Sequence, residues 1–255
     1  MKYQRIACVH SSAPRAVAGY AALGQHYGFV QVDQADVIVV LGGDGFMLSC
    51  LHQYLALGVP LYGMNRGTVG FLMNEYGDTE LPERLQSAES IRIHPLRMAV
   101  ESVGGEMHEA LAFNQVALTR FANQAANMQV RIDGKVRLDK LVGDGVLVAT
   151  PAGSSAYNFS AHGPIIPIGS SLLALTPISP FRPRRWRGAL LPGTAKIELV
   201  VLDPERRPVH AAADSTAVRD VASATVAEDR SVSVEILFDP GHSLEERVIR
   251  EQFTG

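Results

Sequence analysis

The stretch VIVVLGGDGFMLSCLHQYLAL, Val37–Leu57, decides the fold. Val37–Leu41 is an unbroken apolar, mostly β-branched run, as a strand buried on both faces of a parallel sheet requires. Gly42, Gly43, Asp44 and Gly45 follow, and then Leu48, Leu51 and Leu55 recur at helical spacing. Strand, glycine turn and helix together make an anion-binding shape. Glycines let the backbone come close to a ligand, and the unpaired N–H groups of a helix's first turn favour negative charge. Asp44 is out of place in a simple phosphate cradle. A carboxylate there suits removal of a proton from a hydroxyl lying beside a phosphate. Read alone, GGDG is equally a tight turn with Asp44 as the helix N-cap.

Outward from that stretch, Ile6–His10 reads as a short strand, and Ser11–Pro14 opens a helix carried by Ala16–Tyr27. Phe29–Val32 reads as a second short strand. Val59–Tyr62 reads as another, followed by a second glycine loop, Gly63–Gly70 (GMNRGTVG). Strands alternating with helices predict a doubly wound α/β domain, whose ligands bind beyond the carboxyl ends of the strands. Both glycine loops lie at such ends. From Leu96 the segments become short and β-like: Leu96–Val100, Ala110–Leu118, Met128–Ile132, Leu147–Thr150, Lys196–Val201 and Ser231–Ile236. Gly104–Gly105, Asp133–Gly134 and Pro192–Gly193 punctuate them, which predicts a second, all-β domain resembling a sandwich. Leu244–Phe253 returns to helical spacing behind a Ser243/Glu246 capping box, and this C-terminal helix is expected to pack back on the first domain. The domains expected are therefore 1–92 with 240–255, and 93–239.

Composition narrows the function. The chain has 255 residues, 47% hydrophobic and 19% charged, with a net charge of −3, so nothing draws it generally to nucleic acid or an anionic membrane. Arg182–Arg187 mixes arginines with Trp186, but one short segment on a mildly acidic chain reads as a solvated loop or a subunit contact. No apolar run reaches membrane-spanning length, and the N-terminus lacks the apolar core of a signal peptide. Cys8 and Cys50 lie in segments expected to be buried, as two reduced thiols of a cytoplasmic protein would. The eight histidines show no metal-binding spacing, and no metal-ligating residue is singled out.

Two further stretches carry candidate chemistry. Gly143–Pro167 (GDGVLVATPAGSSAYNFSAHGPIIP) passes from Asp144 through an apolar strand into a loop of small residues, hydroxyls and a tyrosine. Such a loop can hug a flat polar ligand, with Ser155 bonding a base edge and Tyr157 stacking on it or bonding through its hydroxyl, though its composition also suits an ordinary surface loop. Phe113–Leu118 (FNQVAL) places the adjacent amides Asn114 and Gln115 on opposite faces of a strand. They can bond ribose hydroxyls or a base edge, or Asn114 can satisfy neighbouring backbone groups.

Taken together these stretches resemble the NAD kinase family of bacterial type. The resemblance covers GGDG at 42–45, GMNRGTVGFL at 63–72, FNQVAL at 113–118, GDGVLVATPAGSSAY at 143–157, SAHGPIIP at 160–167, TPISPF at 176–181 and the tail HSLEERVIREQF. It implies ATP-dependent phosphorylation of the adenosine-ribose 2′-hydroxyl of NAD to NADP, with Asp44 as general base and a divalent metal, Mg²⁺, on the phosphates. It further implies that Gly45, Asn114, Gln115, Asp144, Ala152, Ser155, Ala156, Tyr157, Asn158, Phe159 and Ser160 bind substrate, with Asp144 on the nicotinamide side. The family also implies a homo-oligomer, dimer or tetramer, in the cytoplasm. Two positions depart from the family pattern: Gln115 stands where an acidic residue is usual, and Ala152 and Ser155 stand where threonines are usual. The residues alone leave open a GGDG-type lipid or small-molecule kinase and a non-catalytic NAD(P) sensor.

Overall fold

The computed structural model describes residues 2–67 and 70–241. The chain divides into two compact units, Met1–Ile93 with Ser233–Gly255, and His94–Val232. In the first, β1 (Ile6–His10), α1 (Pro14–His26), β2 (Val37–Gly42), α2 (Asp44–Gln53), β3 (Leu61–Asn65), α3 (Leu81–Ser87) and β4 (Glu89–Ile93) follow in order. The sheet runs β1, β2, β3, then the strand Val234–Phe238, then β4. β1, β2 and β3 are parallel, in register Ile6 to Val37 and Ile38 to Leu61, and only β4 is antiparallel to its neighbour.

Every residue of β2 is buried, as its apolar run requires. Val37, Val39 and Leu41 share one cluster with Ala16 and Leu23 of α1 and with Tyr62 and Met64 of β3. Gly63 lies between those two β3 residues and so faces the other way, where a Cβ would come within 2.9 Å of the Met47 Cε of α2. Helices thus cover both faces. Phe29–Val32 forms no strand. Its one ladder-like bond is Val30 N–H to Ile6 O, 2.9 Å, and the chain then tightens into a 3₁₀ turn at Val32–Gln34. The strand expected at Ser231–Ile236 runs from Val234 to Phe238 and belongs to this first sheet, between β3 and β4, rather than to the all-β unit. The first unit therefore resumes at Ser233, ahead of the expected boundary at 239/240. The predicted tail helix lies outside the described residues.

The second unit comprises β5 (Leu96–Ser102), β6 (Met107–Ala112), β7 (Gln115–Arg120), β8 (Ala126–Ile132), β9 (Lys135–Gly143), β10 (Gly145–Ala149), β11 (Leu172–Ile178), β12 (Ala189–Pro192), β13 (Ile197–Val201), β14 (Val209–Ala213), β15 (Thr216–Val218) and β16 (Val221–Glu228). They form two antiparallel six-stranded sheets, β12-β11-β10-β7-β14-β15 and β6-β5-β16-β13-β8-β9. Alternate residues of both sheets, among them Met98, Val116, Val146, Leu199 and Ala224, meet in one core, which makes a sandwich. The first sheet buries its outer face too. There Ala117, Leu147, Ala149 and Ala174 pack with Ile166 from the segment joining β10 to β11.

The run Ala110–Leu118, which reads as one strand, is two. β6 belongs to one sheet and β7 to the other, and the chain crosses between them at Phe113–Asn114. Trp186 of the arginine-rich segment packs against the sandwich core, and Arg182 exchanges backbone bonds with Val142.

Candidate active site

Gly43 is the N-cap of α2 in extended conformation, and Asp44 is the first helical residue. The Asp44 carboxylate does not cap its own helix. It turns to the segment just after the second glycine loop, where its Oδ2 accepts the Phe71 N–H at 2.7 Å and its Oδ1 accepts the Leu72 N–H at 2.9 Å. The N-cap alternative for Asp44 is thereby set aside. The loops are also joined through backbone. Arg66 N–H donates to Gly42 O at 2.7 Å, and a Cβ on Gly67 would stand 3.3 Å from the Gly43 Cα. That contact is tight, so a side chain at Gly67 would need the facing backbone to give way slightly, whereas a Cβ on Gly43 would make ordinary contact at 3.8 Å. Beside Asp44, Gly45 is exposed, and nothing lies within 4 Å of where its Cβ would be. The start of α2 therefore has an oriented carboxylate, an open backbone approach and the partial positive charge of a helix N-terminus.

The loop that Asp44 grips is anchored by Asn74, which is 0% exposed. Its Nδ2 donates to Gly63 O and Leu237 O, both at 3.0 Å, and its Oδ1 accepts the Asp239 N–H at 2.9 Å. Asp239 in turn accepts the Tyr62 hydroxyl at 2.6 Å and an Arg84 N–H at 2.6 Å. Burial, with the Asp239 bond, pushes the Tyr62 phenol well above its usual range, so it stays a donor. Cys50, on α2, and Cys8 are free thiols that burial pushes up to about 12, so both remain protonated.

In the second unit, the corner Phe113–Gln115 is held from two sides. The Asp214 carboxylate accepts the N–H of Phe113 at 2.7 Å, of Asn114 at 3.1 Å and of Gln115 at 3.2 Å. From the other side, Thr150 Oγ1 donates to Phe113 O at 2.6 Å, and Thr150 N–H donates to Asn114 O at 3.0 Å. Gly153 is pressed onto the same corner. A Cβ there would lie 2.0 Å from Asn114 O, so no other residue fits. All these bonds use the corner's backbone. Gln115 Oε1 is buried with no partner.

The segment after β10 shows which of its expected site residues face outward. Ser154 is consumed internally, since its Oγ donates to Pro151 O at 2.7 Å and accepts the Ile166 N–H at 2.9 Å. Ser155 and Ala156 are half-exposed, Tyr157, Phe159 and Ser160 are exposed, and Ala152 is buried against the loop. Asn158 itself is 0% exposed. Its Nδ2 bonds Ser154 O and Pro164 O, and its Oδ1 accepts the Thr176 hydroxyl at 2.6 Å, so it braces the loop from inside. Asp144 carries an ion pair with Arg120, Oδ1 to Nε at 2.6 Å, which supplies a compensating charge. Residues missed in the sequence are Asp214, Thr150 and Asn74. Each acts on backbone groups far along the chain, and nothing local to them signals that reach. Among the described residues, no group of three or more His, Cys, Asp or Glu side chains is arranged to hold a metal ion.

The chain matches the family model of the ATP-NAD kinase N-terminal domain over residues 10–88 and of the ATP-NAD kinase C-terminal domain over residues 114–228. It is 54% identical over 253 residues to an NAD kinase of Cereibacter sphaeroides, covering 99% of this chain and 100% of that protein. An NAD kinase of Caulobacter vibrioides is 54% identical over 250 residues, with 98% and 96% covered. Among solved structures, yeast NADH kinase complexed with NADH superposes with a TM-score of 0.81 at 20% identity, over 100% of this chain and 89% of that one. An NAD kinase from Archaeoglobus fulgidus in complex with ATP gives 0.78 at 24% identity, over 97% and 98%. These two share the mixed α/β and β-sandwich architecture. Matched in both halves and alike end to end to NAD kinases, the chain belongs to the ATP-NAD kinase family.

Proposed function

We propose that Asp44 is the general base in the activity of this chain, the ATP-dependent phosphorylation of NAD to NADP. The reacting group is the adenosine-ribose 2′-hydroxyl, a poor nucleophile until its proton is being removed. As its oxygen bonds the γ-phosphorus of ATP, the bond from that phosphorus to the β,γ-bridging oxygen breaks and its electron pair leaves with ADP. The hydroxyl proton passes to the Asp44 carboxylate. The observation that carries this reading is the tether of both Asp44 oxygens to the amides of Phe71 and Leu72, which fixes the carboxylate beside the open backbone at Gly45. The start of α2 offers the partial positive charge of a helix N-terminus to the transferring phosphoryl.

In the same reading Asn114 and Gln115 bond the dinucleotide. The unpartnered Gln115 Oε1 fits a ribose hydroxyl as donor. Ser155, Tyr157 and Ser160 contact the adenosine, and Asp144 serves the nicotinamide side. In this reading a divalent cation, Mg²⁺, would be held mainly by the nucleotide phosphates, which requires no dedicated cage of protein ligands. There the ion neutralises charge on the phosphates. Exposed Phe159, Phe181 and Leu190 support a homo-oligomer, and two free thiols, Cys50 buried and Cys8 half-buried, support a reducing, cytoplasmic setting.

The test is incubation of the pure protein with ATP, Mg²⁺ and NAD, with NADP read by an NADP-specific dehydrogenase. One NADP per ADP is expected. Tight NAD binding without turnover would make the protein a sensor, and preferential phosphorylation of a diol lipid would overturn the acceptor.

A further inference from the structure

We propose that Asp214 is the positioning residue of the dinucleotide site: its carboxylate sets the Phe113–Gln115 corner and, through it, the aim of the Asn114 and Gln115 side chains. The proposal rests on the reading that those two side chains bind NAD. The corner lies where the chain leaves one sheet of the sandwich for the other, so no neighbouring strand supplies a regular ladder there. β14 pairs with β7 from Val209–Arg120 as far as Ala213–Val116. β14 ends at that rung, and one residue later the ladder is continued by a side chain. Asp214 turns into the left-handed region, φ 48°, and its carboxylate takes the three N–H groups of Phe113, Asn114 and Gln115. Its own N–H returns a bond to Gln115 O at 3.2 Å.

An ionised carboxylate is the side chain for this place. It is acceptor-only, with two oxygens, and bonds from an amide to a charged acceptor are short and strong. Thr150 and Gly153 close the opposite side, through Phe113 O and Asn114 O. With the main chain held on both sides, Asn114 and Gln115 have no backbone freedom left, and Gln115 Oε1 is kept buried without a protein partner. That pre-organisation makes the corner a site, since an amide that must be ordered on binding loses affinity to that ordering. Asp214 touches no substrate in this scheme and acts only through the two amides.

The experiment is a double-mutant cycle on the full-length chain, with KM for NAD, KM for ATP, kcat and the melting midpoint measured for each variant. Asp214→Asn keeps one acceptor oxygen and the side-chain volume. It is expected to raise KM for NAD about tenfold and to leave KM for ATP within about twofold. Asn114→Ala is expected to raise KM for NAD by a similar factor. Adding Asp214→Asn to a chain carrying both Asn114→Ala and Gln115→Ala is expected to cost less than threefold more, because both side chains being positioned are gone. A purely structural residue would add its full cost in both backgrounds, or would lower the melting midpoint with KM unchanged, and either result overturns the proposal. If Asn114→Ala leaves KM for NAD unchanged, the reading of the corner as the dinucleotide site fails instead. Asp214→Ala repeats the cycle with both acceptors removed; if it does not fold, Asp214→Asn alone decides.

Discussion

Asp44 and Asp214 make the same local contact in the two halves of the chain. Each is a carboxylate that accepts consecutive backbone N–H groups from a distant segment, Phe71–Leu72 in the α/β unit and Phe113–Gln115 in the sandwich. Their surroundings separate them. Asp44 stands at the first residue of a helix, among glycines, next to an exposed Gly45. Asp214 stands at the end of a strand, where it substitutes for the next rung of a ladder. A carboxylate clasp is therefore a device for fixing a loop, and chemistry arises only where the clasp also faces space that a substrate can enter. Asp44 meets that second condition through the glycine turn. Asp214, half-buried as Asp44 is, acts in our proposal through the side chains it steadies.

The sharpest way to break this distinction is Asp44→Asn. Loss of a general base is expected to lower kcat by about 10²–10⁴-fold, because proton removal contributes on that scale. KM for NAD should stay within a few-fold, and NADP formation under saturating NAD reads both. If clasping were the whole task of Asp44, this variant would keep a large fraction of kcat, as Asp214→Asn is expected to do. The midpoint in urea is expected to fall as well, by the equivalent of about 1–2 kcal/mol, since the new amide N–H₂ faces one of the two backbone donors.

Asn74→Ala tests the frame behind Asp44. Three side-chain bonds disappear at a fully buried site, and Gly63 O, Leu237 O and Asp239 N–H lose that partner. A cost of about 2–4 kcal/mol is expected, from buried polar groups left unpaired and a small cavity. Urea unfolding checks it, and kcat should fall with little change in KM for NAD, the reverse of the split expected at Asp214.

How much of this was legible in the sequence depends on reach. The glycine turn, the buried strand Val37–Leu41 and the short-strand pattern of the second unit are local signals, and each specifies its element. The break inside Ala110–Leu118 is not local. The hydrophobic pattern runs straight through Phe113, and the turn is imposed by Asp214, 101 positions later. Asn158 is expected at the site only through the family resemblance, and its bond to Thr176, which lies beyond the loop, has no signal in the residues around it. β9, with the sequence KVRLDKLVG, is too charged to read as a strand because it is an edge strand with most of its side chains in solvent. Val234–Phe238 looks like one more sandwich strand. Its near-continuous burial makes sense only between β3 and β4.

Gly153→Ala strikes the corner from the side opposite Asp214. A methyl group 2.0 Å from Asn114 O cannot be accommodated, so the β10–β11 segment or the corner must move. Overpacking of this kind costs about 1–3 kcal/mol. Because the clash is with Asn114 itself, KM for NAD should rise together with the loss in urea midpoint. A variant that loses stability with KM unchanged would mean that the corner tolerates displacement and that its rigidity is not what the site uses.

Gln115→Glu is the smallest effect and the finest test of what the clasp leaves for the ligand. The native Oε1 is buried and unpartnered, so a bound hydroxyl gives it the hydrogen bond it lacks. A carboxylate in its place would strengthen that bond by about 0.5–1.5 kcal/mol, the difference between neutral and charged acceptors. Against this stand desolvation of the new charge and repulsion from Asp214, whose Oδ1 already lies 3.2 Å from the Gln115 backbone nitrogen. The two nearly cancel, and KM for NAD is expected to change by no more than about threefold, with a steeper dependence on ionic strength than the native enzyme shows. A rise above tenfold would mean that the amide N–H₂ of Gln115, not its oxygen, makes the essential contact. In that case the clasp at Asp214 aims a donor at the dinucleotide.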